Sequence, residues 1–261
     1  DIVDANNISQ IKYFPYDEKM SLGKKRNLMH TKAKGDYIVY FDDDDYYPPE
    51  RVSHAIESLQ NNPDKMICGS TIIHVYFKHL DKIIQFGPYD KNHATAATFA
   101  FRKELLNETK YDETKSMAEE VDFLKNRTIP MIQLDPLKTI IVFSHSHNSF
   151  DKKELLVTKN DSWSFTRLLI NEVVKEEKIR KFFVTDMEEL LSKYEAGKVK
   201  YKPDVEENIK KLKVENKALM ESMEAKHISL NFNGKQEVIS PDKTADCLLY
   251  TSPSPRDGTK S

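Results

Sequence analysis

The chain has 261 residues, 39% of them hydrophobic and 10% aromatic, enough for a buried core in one large domain or one domain with an appendage. Forty Lys and Arg nearly cancel 42 Asp and Glu, and this balance excludes a broad basic footprint for nucleic acid or an anionic membrane surface, so function has to come from local sites. Only Cys68 and Cys247 are present, which excludes a disulfide framework and a Cys-x-x-Cys metal knuckle and makes the cytoplasm the default location. The longest apolar runs are strand-sized, far short of the roughly 20 residues that span a bilayer, so neither an integral membrane segment nor a signal peptide is expected.

The chain opens on Asp1 and enters patterned sequence almost at once, which predicts missing upstream sequence. A helix is predicted over 20–33, with Ser21 as its cap and Gly35 as its break. Gly35-Asp36 turns into Tyr37-Ile38-Val39-Tyr40-Phe41, a buried strand with four aspartates, Asp42 to Asp45, at its carboxyl end. After Pro48-Pro49 comes a helix over 50–60, carrying Val52, Ala55, Ile56 and Leu59 at helical spacing. Strands are predicted in 66–77 and 82–86, then a polar loop through His93 and an apolar patch over 96–101. A helical pattern over 117–126 and a strand over 139–143 lead into Ser144-His145-Ser146-His147-Asn148. This alternation argues for an α/β layer architecture.

Beyond Asp151 the chain becomes Lys/Glu-rich, with helical segments predicted over 162–177, 186–195 and 204–227. The last bears an apolar stripe of Val205, Ile209, Leu212, Leu219 and Met223, suited to packing on the main domain or on a partner. Asn233-Gly234 within 228–240 signals a hairpin. Residues 247–261 break this style and are set aside as an artefactual tail. The organisation expected is a main domain over 1–153, a helical appendage with a terminal hairpin over 154–246, and that tail.

Four adjacent carboxylates at a strand end repel one another, and a cation relieves that repulsion. Side chains alternate along extended backbone, so Asp42 and Asp44 face one way and Asp43 and Asp45 the other until the turn rotates them. Hard divalent ions prefer carboxylate oxygens and leave coordination places for substrate phosphates. Ligands of open α/β sheets collect beyond the carboxyl ends of the strands. The plain alternative is a solvated acidic turn that caps the next helix. A calcium loop of the EF-hand kind fits less well, because Tyr46 stands where Asp or Asn is wanted.

The run SLGKKRN followed by GDYIVYFDDDDYYPPERV resembles family 2 glycosyltransferases, whose pattern is an Arg-Asn helix, Gly-Asp-Tyr-Ile, an Asp-x-Asp-Asp strand end and a Pro-x-Arg helix start. The resemblance covers about 11–153. It implies a GT-A fold, a Rossmann-like mixed sheet flanked by helices, here without the first strand–helix unit that holds the nucleobase. It implies that Asp44 holds a divalent metal, Mn²⁺ or Mg²⁺, on the donor diphosphate, and that Asp42 or Asp43 contacts the ribose. Lys24 and Arg26 would face the donor, although a helix-surface Arg also serves as a plain salt-bridge partner. Residues 118–124 are similar to the family's Glu-Asp or Glu-Glu motif, which implies Glu120 as general base, with Glu119 on the donor side. Residues 98–103 resemble the segment lining the donor sugar, which places Thr95 and Ala96 near the sugar and His93 either at the rim or hydrogen-bonded in its loop. HSHNSFDKK resembles a His-x-x-Asn-Thr-x-x-Lys signature, with Ser149 in place of Thr. Strand register favours His145 as the residue completing the metal or diphosphate site, while proximity to Asn148 favours His147.

The function implied is transfer of a sugar, with inversion, from a nucleotide-sugar donor, a UDP-sugar first among them, to a glycan, lipid-linked or protein acceptor. Two other classes stand beside it. A nucleotidyltransferase or metal-dependent phosphohydrolase also clusters acids around Mg²⁺, but the sequence has no Gly-rich phosphate loop and no second carboxylate set. A non-catalytic interaction module would use 204–227 as a partner helix and be indifferent to metal.

Overall fold

The computed structural model describes residues 10–115, 118–145, 147–148, 152–153, 156, 163–195, 206–207, 210–211 and 214. The predicted hairpin over 228–240, most of the helix over 204–227 and the tail over 247–261 lie outside the described residues.

Helix α1 (Leu22–Lys32) is capped as its sequence predicts, the Ser21 side chain accepting the Lys24 N–H at 3.2 Å. Strand β1 (Tyr37–Val39) is shorter than its apolar run, because after one further bond from Tyr40 N–H to Phe99 O at 3.0 Å the chain turns through the aspartates. Helix α2 (Arg51–Gln60) follows the two prolines. The run 66–77, read as continuous, is two strands in different sheets, β2 (Ile67–Gly69) and β3 (Ile73–Phe77). Ser70 makes the break: its hydroxyl donates to Ile72 O at 2.7 Å, and its N–H donates to the Thr98 hydroxyl at 2.9 Å instead of to a ladder. Strands β4 (Lys82–Phe86), β5 (Ala100–Arg102), β6 (Met131–Gln133) and β7 (Ile141–Phe143) complete the part read as the main domain.

The first sheet has the order β1-β5-β2-β6, with β5 antiparallel to both neighbours and β2 parallel to β6. The second has the order β7-β3-β4-β8, where β3 is parallel to β7 and antiparallel to β4. Strand β8 (Trp163–Phe165) falls in a stretch read as helix; it is antiparallel to β4 with Gln85 opposite Ser164. Its Trp-Ser-Phe alternation is a strand pattern that the neighbouring charged residues obscured. Helical structure begins at α4 (Ile170–Val173), and α5 (Glu177–Lys181) then runs through a wider turn over Phe182–Asp186 into α6 (Met187–Ser192).

The helix read over 117–126 is only one turn, α3 (Glu120–Phe123), because Ala118, Lys125, Asn126 and Arg127 all have positive φ. Tyr40, Phe99, Phe101, Tyr111 and Phe123 pack under the first sheet. Val75, Phe77, Ile84 and Val142 line the second. Val174 and Met187 from the carboxyl-terminal helices close on Tyr76, Ile141 and Phe143. Burial of each such side chain contributes about 1.5–3 kcal/mol; the first cluster holds α3 against β1, and the other two seat β7. None of the helices formed by described residues is long and apolar enough to cross a membrane.

Candidate active site

The acidic turn is stitched to β7 and the residues after it. Tyr46 exchanges two backbone bonds with Ile141, at 3.0 and 2.8 Å. Asp45 Oδ1 accepts the Phe143 N–H at 2.8 Å. Asp44 Oδ2 lies 3.2 Å from His145 Nε2. Three successive residues thus meet three alternate residues of the facing strand, so the four carboxylates have different surroundings. Asp44 and Asp45 are buried, Asp42 is half-buried and Asp43 is exposed. The Asp42 N–H donates to the Tyr47 hydroxyl at 2.8 Å, which fixes the start of the turn. Arg51, buried at the head of α2, donates to the carbonyls of Thr98 and Phe99, both at 2.9 Å, and ties the turn to the segment before β5.

His145 is gripped on both ring nitrogens. Its Nδ1 accepts the His147 backbone N–H at 3.2 Å, while its Nε2 faces Asp44 Oδ2. Asn148 accepts the His145 N–H at 2.8 Å and places its amide nitrogen 2.8 Å from Nε2. His147 turns elsewhere, its Nε2 lying 2.8 Å from the Tyr194 carbonyl oxygen and its ring stacking on the Tyr194 ring.

Lys152, the first of the two Lys of the HSHNSFDKK run, is buried with its ammonium donating to Phe143 O at 2.8 Å. Burial pulls its pKa down to about 7, against the opposing pull of Asp44 and Asp42. Its place beside the aspartates was not read from sequence; the only signal was its position at the end of that run.

A second buried group lies between α1 and α3. Gly23 permits a close approach, since a Cβ there would stand 1.9 Å from Asp112 O, and its N–H donates to Lys115 O at 3.0 Å. Asn27 exchanges hydrogen bonds with the backbone of Tyr111, both at 3.0 Å. This docking brings Arg26 Nε to 2.9 Å from Glu119 Oε1, with the pair's side chains 7% and 0% exposed. The guanidinium sits over the rings of Tyr40 and Tyr111, 4.9 and 5.7 Å from their centroids. Burial opposes its charge, and Glu119, Tyr111 and Asp42 outweigh burial and hold it ionised. Arg26 therefore interacts electrostatically with both the glutamates and the acidic turn. Glu120 is also buried, and burial together with the adjacent Glu119 pushes its carboxyl up to about 8. Among the described residues, Oε2 of Glu119 and Oε2 of Glu120 have no hydrogen-bond partner.

Of the other residues singled out, Lys24 is exposed on α1 and Thr95 is half-buried, its carbonyl accepting from Thr98. His93 is buried in its loop, edge-on to Tyr89 at 5.0 Å, and burial, with help from Arg127, lowers its pKa to about 3. Among the described residues no group of three or more His, Cys, Asp and Glu closes around one point. Asp44 Oδ2 and His145 Nε2 are nonetheless spaced like neighbouring ligands of one octahedral ion, for which bonds of about 2.1 Å put adjacent donors roughly 3 Å apart. A hard ion held by two protein ligands keeps its other places for phosphate oxygens, so the donor set fits Mg²⁺ or Mn²⁺ shared with a diphosphate.

The family model described as Glycosyl transferase family 2 matches residues 2–110. No curated protein matches the chain. The match takes in Lys24, Arg26, the four aspartates and Thr95, and it ends before Glu119. With this match and two mixed sheets flanked by helices, the architecture is GT-A-like, and residues 2–110 are similar to glycosyl transferase family 2. Sugar transfer is the general chemistry of that family.

Proposed function

We propose that the chain is a metal-dependent, inverting glycosyltransferase that moves a sugar from a nucleotide-sugar donor, a UDP-sugar first among candidates, to a hydroxyl of a glycan, lipid-linked or protein acceptor. The observation that carries this reading is the juxtaposition of Asp44 with His145, tied through Asp42 and Arg26 to the buried Glu119–Glu120 pair. A divalent cation held by Asp44 and His145 would neutralise the charge that develops on the departing diphosphate.

The chain's own residues do the rest. Asp42, Asp43, Lys24 and Thr95, each exposed or half-buried, receive the donor's nucleotide and sugar, while Arg26 and Glu119 are buried. Glu120 takes the proton of the acceptor hydroxyl as that oxygen bonds to the anomeric carbon and the bond to the diphosphate breaks. One displacement inverts the centre, and the charge spreads as in other glycosyl transfers. Burial makes Glu120 a stronger base than an exposed carboxylate, at the cost that it must first be ionised. His147, engaged with Tyr194, fixes the His145 loop against the carboxyl-terminal helices.

The test is a binding and turnover screen of UDP-, GDP- and dTDP-sugars with and without Mn²⁺, on wild type, Asp44→Ala and Glu120→Gln. One donor bound only with Mn²⁺, lost in Asp44→Ala and retained but not turned over in Glu120→Gln, supports the assignment. Turnover indifferent to metal and to both substitutions overturns it.

A further inference from the structure

The acids Glu119 and Glu120 are adjacent in the chain, both buried, yet differently placed: among the described residues only Glu119 has a cation in hydrogen-bond contact, Arg26 at 2.9 Å. Two buried carboxylates that close do not ionise independently, and a cation bound to one decides which of them carries the negative charge. Arg26 cannot swing away to share itself, since Tyr40 and Tyr111 flank its guanidinium and Gly23 and Asn27 lock α1 to the loop before α3.

Resting on the proposed role of Glu120, we infer that Arg26 is a positioning residue for base catalysis: by pinning the charge of the pair on Glu119, it leaves Glu120 as the carboxyl that exchanges a proton with the acceptor hydroxyl. Among the described residues, the groups that act on the pair are these. Arg26 and Arg127 favour ionisation of Glu120, while Glu119 opposes it. Asp122 on the same turn is paired with Lys115 at 2.6 Å. Tyr40 and Tyr111 stay neutral, since burial raises both phenols, and Asp42 supports the charge on Arg26. His30, beside Tyr40, is kept neutral at working pH because burial and Arg26 lower its pKa to about 4.

The inference separates from a purely structural role by titration. Carboxyl-carbon NMR of the glutamates, on the full chain without substrate, follows the pair directly in wild type, Arg26→Lys, Arg26→Gln and Glu119→Gln. In wild type burial and the neighbouring carboxylate hold the last ionisation of the pair well above the ordinary carboxylate range. Arg26→Gln moves that last ionisation up by about one pH unit or more, Arg26→Lys keeps it within about half a unit, and Glu119→Gln, which removes the repulsion, moves it down by about one unit or more. The pH profile of kcat follows the same order, with donor KM within about threefold of wild type. Glu119→Gln is isosteric and removes a buried charge, so it remains informative if Arg26→Gln does not fold. An unmoved midpoint in Arg26→Gln or Glu119→Gln overturns the role of Arg26. Midpoints that move while the kcat profile does not overturn the assignment of Glu120 as base and leave the charge placement standing.

Discussion

Asp44 and His145 are 101 positions apart in the chain, and their side chains meet at 3.2 Å, both nearly inaccessible. The contact is the last step of a stitch in which Tyr46, Asp45 and Asp44 meet Ile141, Phe143 and His145 in turn. The stitch turns a strand end crowded with acids into a site with distinct parts.

If Asp44 and His145 are the two protein ligands, Asp44→Ala lowers Mn²⁺ affinity by about 100-fold or more and His145→Ala by about 10–100-fold. His147→Ala, whose ring faces the Tyr194 carbonyl, changes it by less than about threefold. Calorimetric titration of Mn²⁺ in the presence of a nucleoside diphosphate reads all three.

Glu120→Gln gives two results of opposite sign. Turnover falls by about 10²–10⁴-fold, the range for loss of a general base. Stability rises, and its pH dependence follows from the direction of the shift. The folded-state carboxyl, held near 8 against an ordinary 4.5, favours the protonated fold, so its contribution is present below pH 4.5 and is lost as pH rises through 8. Glutamine does not ionise, so the variant matches wild type near pH 4.5 and exceeds it by about 2–4 kcal/mol above pH 8. Thermal unfolding at both pH values checks this without any substrate.

Asp45 has a structural task, accepting the buried Phe143 N–H. Asp45→Ala leaves that donor without its acceptor and costs about 1–3 kcal/mol, whereas Asp45→Asn keeps an acceptor oxygen and costs less. Denaturant unfolding of the two variants gives that order.

Gly23→Ala drives a methyl group to within 1.9 Å of Asp112 O, which is backbone and cannot move aside cheaply. The substitution lowers stability by about 1–3 kcal/mol and, by loosening α1 from the loop before α3, weakens the Arg26–Glu119 contact. Unfolding together with turnover at a fixed pH measures both.

Much of this was legible in the sequence because local patterns carried it. Ser21 capped α1, the prolines opened α2, and the β-branched and aromatic run ahead of the aspartates formed β1. What was not legible depended on tertiary contacts. The run 66–77 divides between two sheets because Ser70 bonds to Thr98, a residue no local window contains. The helix around Glu120 stops after one turn at three successive left-handed residues, Lys125, Asn126 and Arg127, of which only Asn favours that conformation by type. Strand β8 was hidden among charged neighbours. In the site, Asp44 and Glu120 stood in patterns, but the pairing of Arg26 with Glu119 and the burial of Lys152 arise only when α1, α3 and β7 pack together.

Whether Asp44 holds a divalent ion on the donor's diphosphate is read most directly from donor binding by calorimetry with and without Mn²⁺, in wild type and Asp44→Ala. With that role, a nucleotide sugar binds wild type with Mn²⁺ and about 100-fold more weakly once Mn²⁺ is withdrawn or Asp44 is replaced. Equal binding under all three conditions would contradict it.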